Sequence, residues 1–385
     1  MLQQKICQFI RLLIAGLLLL NINSNSLLAQ NNFSLKGHIE GINSGKATLR
    51  IFFADKDAAM PKAFLPSTIN KGDFFIQGKI TAPYFAEINF NDSMWTPVFV
   101  VEPGHYELKV DTLAPENMQI MPLSRYQAEY KNVFHLYFKE INNSINIWYR
   151  DNYRYYKKYN GDMPIHLKDS MQNVFNHLKI ERDSLLLQYT SAHPESFVAL
   201  NQLLTRLRDN GYTTIYSKIF ETFNPPVKQS TIGIVAKNLL ALTKRVAIGA
   251  VFPALEVADI QLKNTTVSNK QNMGKIVLYD FWYSNCGPCI EQFPHLIKLY
   301  NTYHTKGFNI IAVSTDTREK IHHWKEVLQR EEVPWEQYLD THQLAGKYLN
   351  IQTFPANFLV DGQGKIISRN IDPISLEIYL KKALE

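Results

Sequence analysis

The stretch that most constrains the fold is an apolar run, Ile276-Val277-Leu278-Tyr279-Asp280-Phe281-Trp282, followed closely by Cys286-Gly287-Pro288-Cys289. A run that is apolar on both faces reads as a central parallel strand, buried from two sides. Pro288 suits the first turn of a helix, where its missing N–H is not required. Two thiols therefore stand where a buried strand hands over to a helix, a position suited to making and breaking one disulfide. The chain has 3 cysteines, and the remaining one is Cys7.

Cys7 belongs to a segment that reads as an address. Lys5 and Arg11 form a positive start, Leu12 to Leu20 a short apolar core, and Ala29 a small residue suited to cleavage before Gln30. The apolar run breaks at Asn21 and Asn23, short of the roughly 20 residues that a spanning helix needs. A secretory signal peptide over residues 1–29 is expected, and Cys7 precedes the apolar core, where a lipoprotein signal would not put its modified cysteine. Removing Lys5 and Arg11 takes the formal charge from +6 to +4 and leaves the motif pair as the mature chain's cysteines. In an exported protein, where spare thiols are drawn into bridges, this economy protects an active pair from competing partners. The basic excess is unclustered and gives no ground for a nucleic-acid partner.

About 355 mature residues suggest two or three domains. Over 31–115 short alternating strands, such as Phe33 to Ile39 and Ala47 to Phe52, are punctuated by Lys71-Gly72-Asp73 and Glu102-Pro103-Gly104, which reads as a β-sandwich. Helical periodicity takes over in 122–246, with helices expected over 126–159, 167–190, 196–208, 215–223 and 231–244, a helical connector. His135, His166 and His177 lie there without metal-ligand spacing, so no metal and no cofactor is expected. A third unit, 249–385, alternates strands and helices: a hairpin at 255–268, a strand at 275–282, a helix at 289–305 and a strand at 308–314. A helix at 318–332 follows, capped by Asp316 or Thr317, then a strand at 335–339, a helix at 342–349, a hairpin around Asp361-Gly362-Gln363-Gly364 and a last helix at 374–384. This pattern gives an α/β sheet flanked by helices on both faces.

Residues 249–385 resemble the thioredoxin-fold domains of the TlpA/ResA-like, redoxin-related group of exported thiol-disulfide oxidoreductases. The resemblance rests on Tyr279-Asp280-Phe281-Trp282 ahead of Cys286-Gly287-Pro288-Cys289, on Pro294, and on Thr353-Phe354-Pro355 before Phe358-Leu359-Val360-Asp361-Gly362. More loosely, the leading segments resemble the extension with a domain of unknown function found on such proteins from Bacteroidetes. The resemblance implies a redox-active Cys286–Cys289 disulfide, an acidic residue beneath the second cysteine as proton acceptor (here Asp280), and a cis Pro355 facing the pair. Trp282, Gly287, Pro288, Thr353, Phe354 and Pro355 would border the substrate. It also implies disulfide or dithiol protein substrates, a membrane redox partner that recycles the pair, a periplasmic or cell-envelope location in a Gram-negative bacterium, and cytochrome c maturation among the processes served.

The chemistry follows from position. A thiol at a helix start is favoured as thiolate, which makes Cys286 the attacker, and Cys289, one turn further in, resolves the mixed disulfide. A carboxylate buried among Leu278, Tyr279 and Phe281 has its pKa raised toward neutrality, as a general base needs. Pro294 should kink the helix. Asn285 and Phe354 depart from the residues usual in the group, and both border the expected groove. Three other readings stay open: a disulfide oxidase or isomerase, a peroxidase, and a binding or assembly protein whose thiols only regulate. Reduction of extracytoplasmic disulfides is the expected activity.

Overall fold

The computed structural model describes residues 32–52, 64–159, 163–340, 348–351 and 353–385. The signal-peptide segment and most of the helix expected at 342–349 lie outside these residues. The chain divides into two compact units, one reaching Leu204 and including Ile215–Lys237, the other made of Thr205–Thr214 with Asn238–Glu385.

In the first unit, nine strands form one continuous sheet. They are β1 (Phe33–Glu40), β2 (Ser44–Ile51), β3 (Phe64–Asn70), β4 (Asp73–Gly78), β5 (Tyr84–Phe90), β6 (Met94–Trp95), β7 (Phe99–Val101), β8 (Gly104–Asp111) and β9 (Gln119–Met121). The order is β6-β5-β2-β3-β4-β1-β8-β9, with β7 paired to β5. The alternation read in Phe33–Ile39 is real: Phe33, Leu35 and Ile39 are buried while Lys36 and His38 face outward. Strand β3 was not legible, because Pro66 within a run argues against a strand. It pairs along its length with β2 but with β4 only at Asn70↔Asp73, which leaves room for a residue without an N–H. The helix expected over 126–159 is broken into Arg125–Glu129, a π-turn at Tyr130–Phe134, His135–Tyr137 and Lys139–Lys158. Ile165–Ala192, Phe197–Asn210, Thr214–Thr222 and Thr231–Arg245, the last three shared between the two units, lie close to the expected spans. None of the described helices is long and apolar enough to cross a membrane.

The second unit carries a seven-stranded sheet of β10 (Leu255–Ala258), β11 (Asn264–Val267), β12 (Ile276–Trp282), β13 (Phe308–Ser314), β14 (Glu336–Leu339), β15 (Ala356–Val360) and β16 (Ile366–Arg369), in the order β11-β10-β14-β13-β12-β15-β16. Strand β12 lies inside it, parallel to β13 and antiparallel to β15. Its continuous apolar character follows from that place: successive side chains feed two cores. Leu278 and Trp282 join one cluster, with Leu296, Leu299, Trp324, Val327, Leu376 and Leu380 from three helices. Val277, Tyr279 and Phe281 join the other, with Val246, Phe252, Leu349 and Ile351. Among the described residues, the helices Phe293–Tyr303, Ile321–Glu331 and Pro373–Leu384 thus contribute to one face.

Two local expectations are refined. The helix after the cysteines is broken: Gly287–Ile290 ends at Glu291, and a second helix, Phe293–Tyr303, begins with Pro294 in its first turn. Asp316 does not cap the helix that follows it. Thr317 occupies the N-cap of the short turn Arg318–Lys320 without a side-chain hydrogen bond, and the Asp316 carboxylate points inward.

Candidate active site

The site is built at the end of β12. After Trp282 the chain turns through Tyr283, Ser284 and Asn285, and the Cys286 N–H donates to the Tyr283 carbonyl at 2.9 Å. Cys286 is the N-cap of Gly287–Ile290, with extended backbone (φ −85°, ψ 90°). Its carbonyl accepts from the N–H groups of Cys289 and Ile290, both at 3.1 Å. That geometry puts Cys289 one turn along, with the two Cα atoms 5.3 Å apart and the sulfurs joined in a disulfide. Pro288 stands in the first turn, as its missing N–H permits.

Both cysteines are buried, Cys286 with 3 % and Cys289 with 2 % of its surface exposed. The expected contrast between an exposed attacker and a hidden resolver is therefore slight in the disulfide form. The surface around them is open instead at Asn285, Gly287 and Pro288, all exposed, and a side chain at Gly287 would meet nothing within 4 Å. The cluster holding both sulfurs is apolar and aromatic.

Asp280 is 3 % exposed. By the two-residue period of a strand it shares the face of Leu278 and Trp282, the face that packs with both cysteines. Its ladder neighbours are Ala312 on β13 and Asn357 on β15. Burial pushes its pKa up to about 7. A carboxyl group poised near neutrality can accept and return a proton, so the expectation for Asp280 has a physical footing.

The second element is the segment before β15. The Phe354-Pro355 peptide bond is cis. Thr353 is exposed, while Phe354 and Pro355 are partly covered. Phe354 meets Tyr283 edge to face, ring centroids 5.3 Å apart, so the turn before Cys286 and the residue before Pro355 form one aromatic wall. Tyr283 is not part of the motif, and its signal in the sequence is a bulky aromatic between a strand and its cysteine. Trp282 has a different place from the one expected. It is fully buried, packs edge-on against Phe293 at 5.1 Å and donates from Nε1 to Gln337 at 3.3 Å, so it supports the turn from beneath. His295, on the second helix, bonds Glu377 at 3.1 Å. Among the described residues, no three His, Cys, Asp or Glu side chains group as a metal site.

A Redoxin family model matches residues 247–382. The thiol-disulfide oxidoreductase ResA of Bacillus anthracis is 30% identical over 150 residues, which is 38% of this chain and 84% of the relative. ResA of Bacillus cereus is 29% identical over the same shares. Among solved structures, the thioredoxin domain of a thiol-disulfide oxidoreductase from Bacteroides vulgatus is 32% identical, covering 36% of this chain and 99% of that domain with a TM-score of 0.33.

Proposed function

The chain belongs to the ResA-like thiol-disulfide oxidoreductases of the Redoxin family, and from that premise we propose that it is an exported reductase of protein disulfides, working through Cys286 and Cys289. In the reduced protein the Cys286 thiolate attacks one sulfur of a substrate disulfide. A mixed disulfide forms and the substrate's other sulfur leaves as a thiolate. Asp280 takes the proton of the Cys289 thiol, and the Cys289 thiolate attacks Cys286 Sγ. The substrate's second thiolate departs and the internal disulfide closes. Two electrons have passed to the substrate, and a membrane redox partner supplies two more, with two protons, to reduce the pair again. Gly287, Pro288, Thr353, Phe354 and Pro355 offer the surface on which an extended substrate segment would lie.

The observation that carries the direction is the setting of the sulfurs. A strong oxidant keeps its reduced form stable by stabilising the thiolate. Here both sulfurs are buried in an apolar, aromatic cluster, which offsets the stabilisation that the helix start gives the Cys286 thiolate. The disulfide is favoured, and the dithiol is a donor of electrons.

For location, Lys5, Arg11 and the apolar core Leu12–Leu20 support export, and the resemblance of the leading segments to those of Bacteroidetes proteins supports the periplasm or cell envelope of a Gram-negative bacterium. The proposed order is a signal peptide at 1–29, a β-rich domain at 31–115, a helical domain at 122–246 and the redox domain at 249–385. Equilibration of the full chain with glutathione buffers tests the direction. We expect a potential more negative than about −200 mV, and a value near the about −120 mV of strong oxidants would overturn the reductase reading.

A further inference from the structure

Asp316 follows the end of β13 and is 3 % exposed, yet its carboxylate is fully engaged. Oδ2 accepts the backbone N–H of Ser284 at 2.7 Å and the Ser314 hydroxyl at 2.7 Å. Oδ1 accepts the Ser284 hydroxyl at 2.8 Å, and the Asp316 N–H donates to Ser314 Oγ at 3.1 Å. Ser284 and Ser314 are themselves buried. The strand ends involved are already in register, Trp282 opposite Ser314, and the Thr315 N–H donates to the Trp282 carbonyl at 2.8 Å. The ladder alone therefore fixes Trp282. What Asp316 adds is a hold on Ser284, two residues beyond the ladder and two before Cys286.

Burying a carboxylate is expensive, and a neutral side chain could close a turn without that cost. The acid is the residue that accepts three hydrogen bonds at once, one of them from a backbone N–H in the turn that delivers the nucleophile. We propose that Asp316, acting through Ser284, is a positioning residue for thiol-disulfide exchange: it sets the height of the Tyr283–Cys286 turn and so aims Cys286 Sγ along the axis of an incoming disulfide. The inference rests on the reductase reading. Exchange is the step that needs this aim, because attacking, central and leaving sulfurs must align, whereas alkylation by a small electrophile makes a weaker demand on direction.

The test compares reduced full-length wild type, Asp316→Asn and Ser284→Ala in two reactions at one pH, exchange with glutathione disulfide and alkylation by iodoacetamide. Asp316→Asn replaces an acceptor oxygen by a donor, and we expect exchange to slow about tenfold while alkylation changes less than about twofold. Ser284→Ala keeps the backbone bond and should slow exchange by about two- to threefold, which preserves a reading should Asp316→Asn fail to fold. Exchange and alkylation falling in parallel would overturn the inference, as would a lowered melting temperature of Asp316→Asn with its exchange within about twofold of wild type. If wild type itself does not exchange, the reductase reading falls and takes this inference with it. If wild type exchanges and the variants match it, the inference falls alone.

Discussion

Tyr283 and Phe354 meet edge to face with ring centroids 5.3 Å apart, joining the turn that carries Cys286 to the residue before Pro355. Both rings are half-buried, and the cysteine between these segments is almost wholly covered. A substrate that lies along Thr353–Pro355 must pass this wall. Phe354→Ala is expected to cost about 1 kcal/mol of aromatic contact, plus lost burial, and to raise reaction with bulky protein disulfides more than with glutathione disulfide. Rates for an unfolded protein disulfide and for glutathione disulfide, measured side by side, check it. Equal change in both would remove Phe354 from substrate choice.

Asp280 gives a pH prediction with a definite sign. Its folded pKa, about 7, lies above the unfolded value near 3.9, so the folded state holds the proton more tightly. The contribution is intact below about pH 4 and is lost as the pH rises to 7, by about 4 kcal/mol in all. Asp280→Asn should therefore gain stability over wild type as the pH rises from 4 to 8, and chemical denaturation of the oxidised proteins at both pH values measures the gap. A pH-independent difference would contradict the shift.

The same substitution should slow the second step of exchange. With no proton acceptor near Cys289, reduced Asp280→Asn should accumulate mixed disulfide, and its turnover should fall by about 10²-fold at pH 7. Quenched-flow detection of the adduct decides this, and turnover at the wild-type rate would remove Asp280 from proton transfer.

Trp282 is placed beneath the turn, so its replacement should act on stability before substrate choice. Trp282→Ala should cost about 3–5 kcal/mol, while Trp282→Phe should leave the ratio of rates for large and small disulfides as in wild type. A changed ratio in Trp282→Phe would return this residue to the substrate surface.

The second unit was largely legible because its signals are local. β12 could be read from a run apolar on both faces, the helix start from Pro288, and the kink from Pro294, which begins the second helix segment. Signals that depend on distant partners were not legible. Asp316 precedes a helix and so looked like a cap, but the donors that claim it, Ser284 and Ser314, could be known only from the register of β12 against β13. The resemblance puts Trp282 at the groove, whereas strand alternation sends it into the core. The same blindness hid β3, whose Pro66 is tolerated because of where β4 leaves the pairing.

The central claim is that Cys286 attacks and Cys289 resolves, and trapping measures it most directly. Reduced full-length Cys289→Ser and Cys286→Ser would each be mixed with a peptide disulfide, quenched with acid and analysed by mass spectrometry. The geometry predicts rapid, stoichiometric mixed disulfide on Cys286 in Cys289→Ser, and little on Cys289 in Cys286→Ser. Equal trapping by the two variants, or trapping by Cys289 alone, would contradict the account.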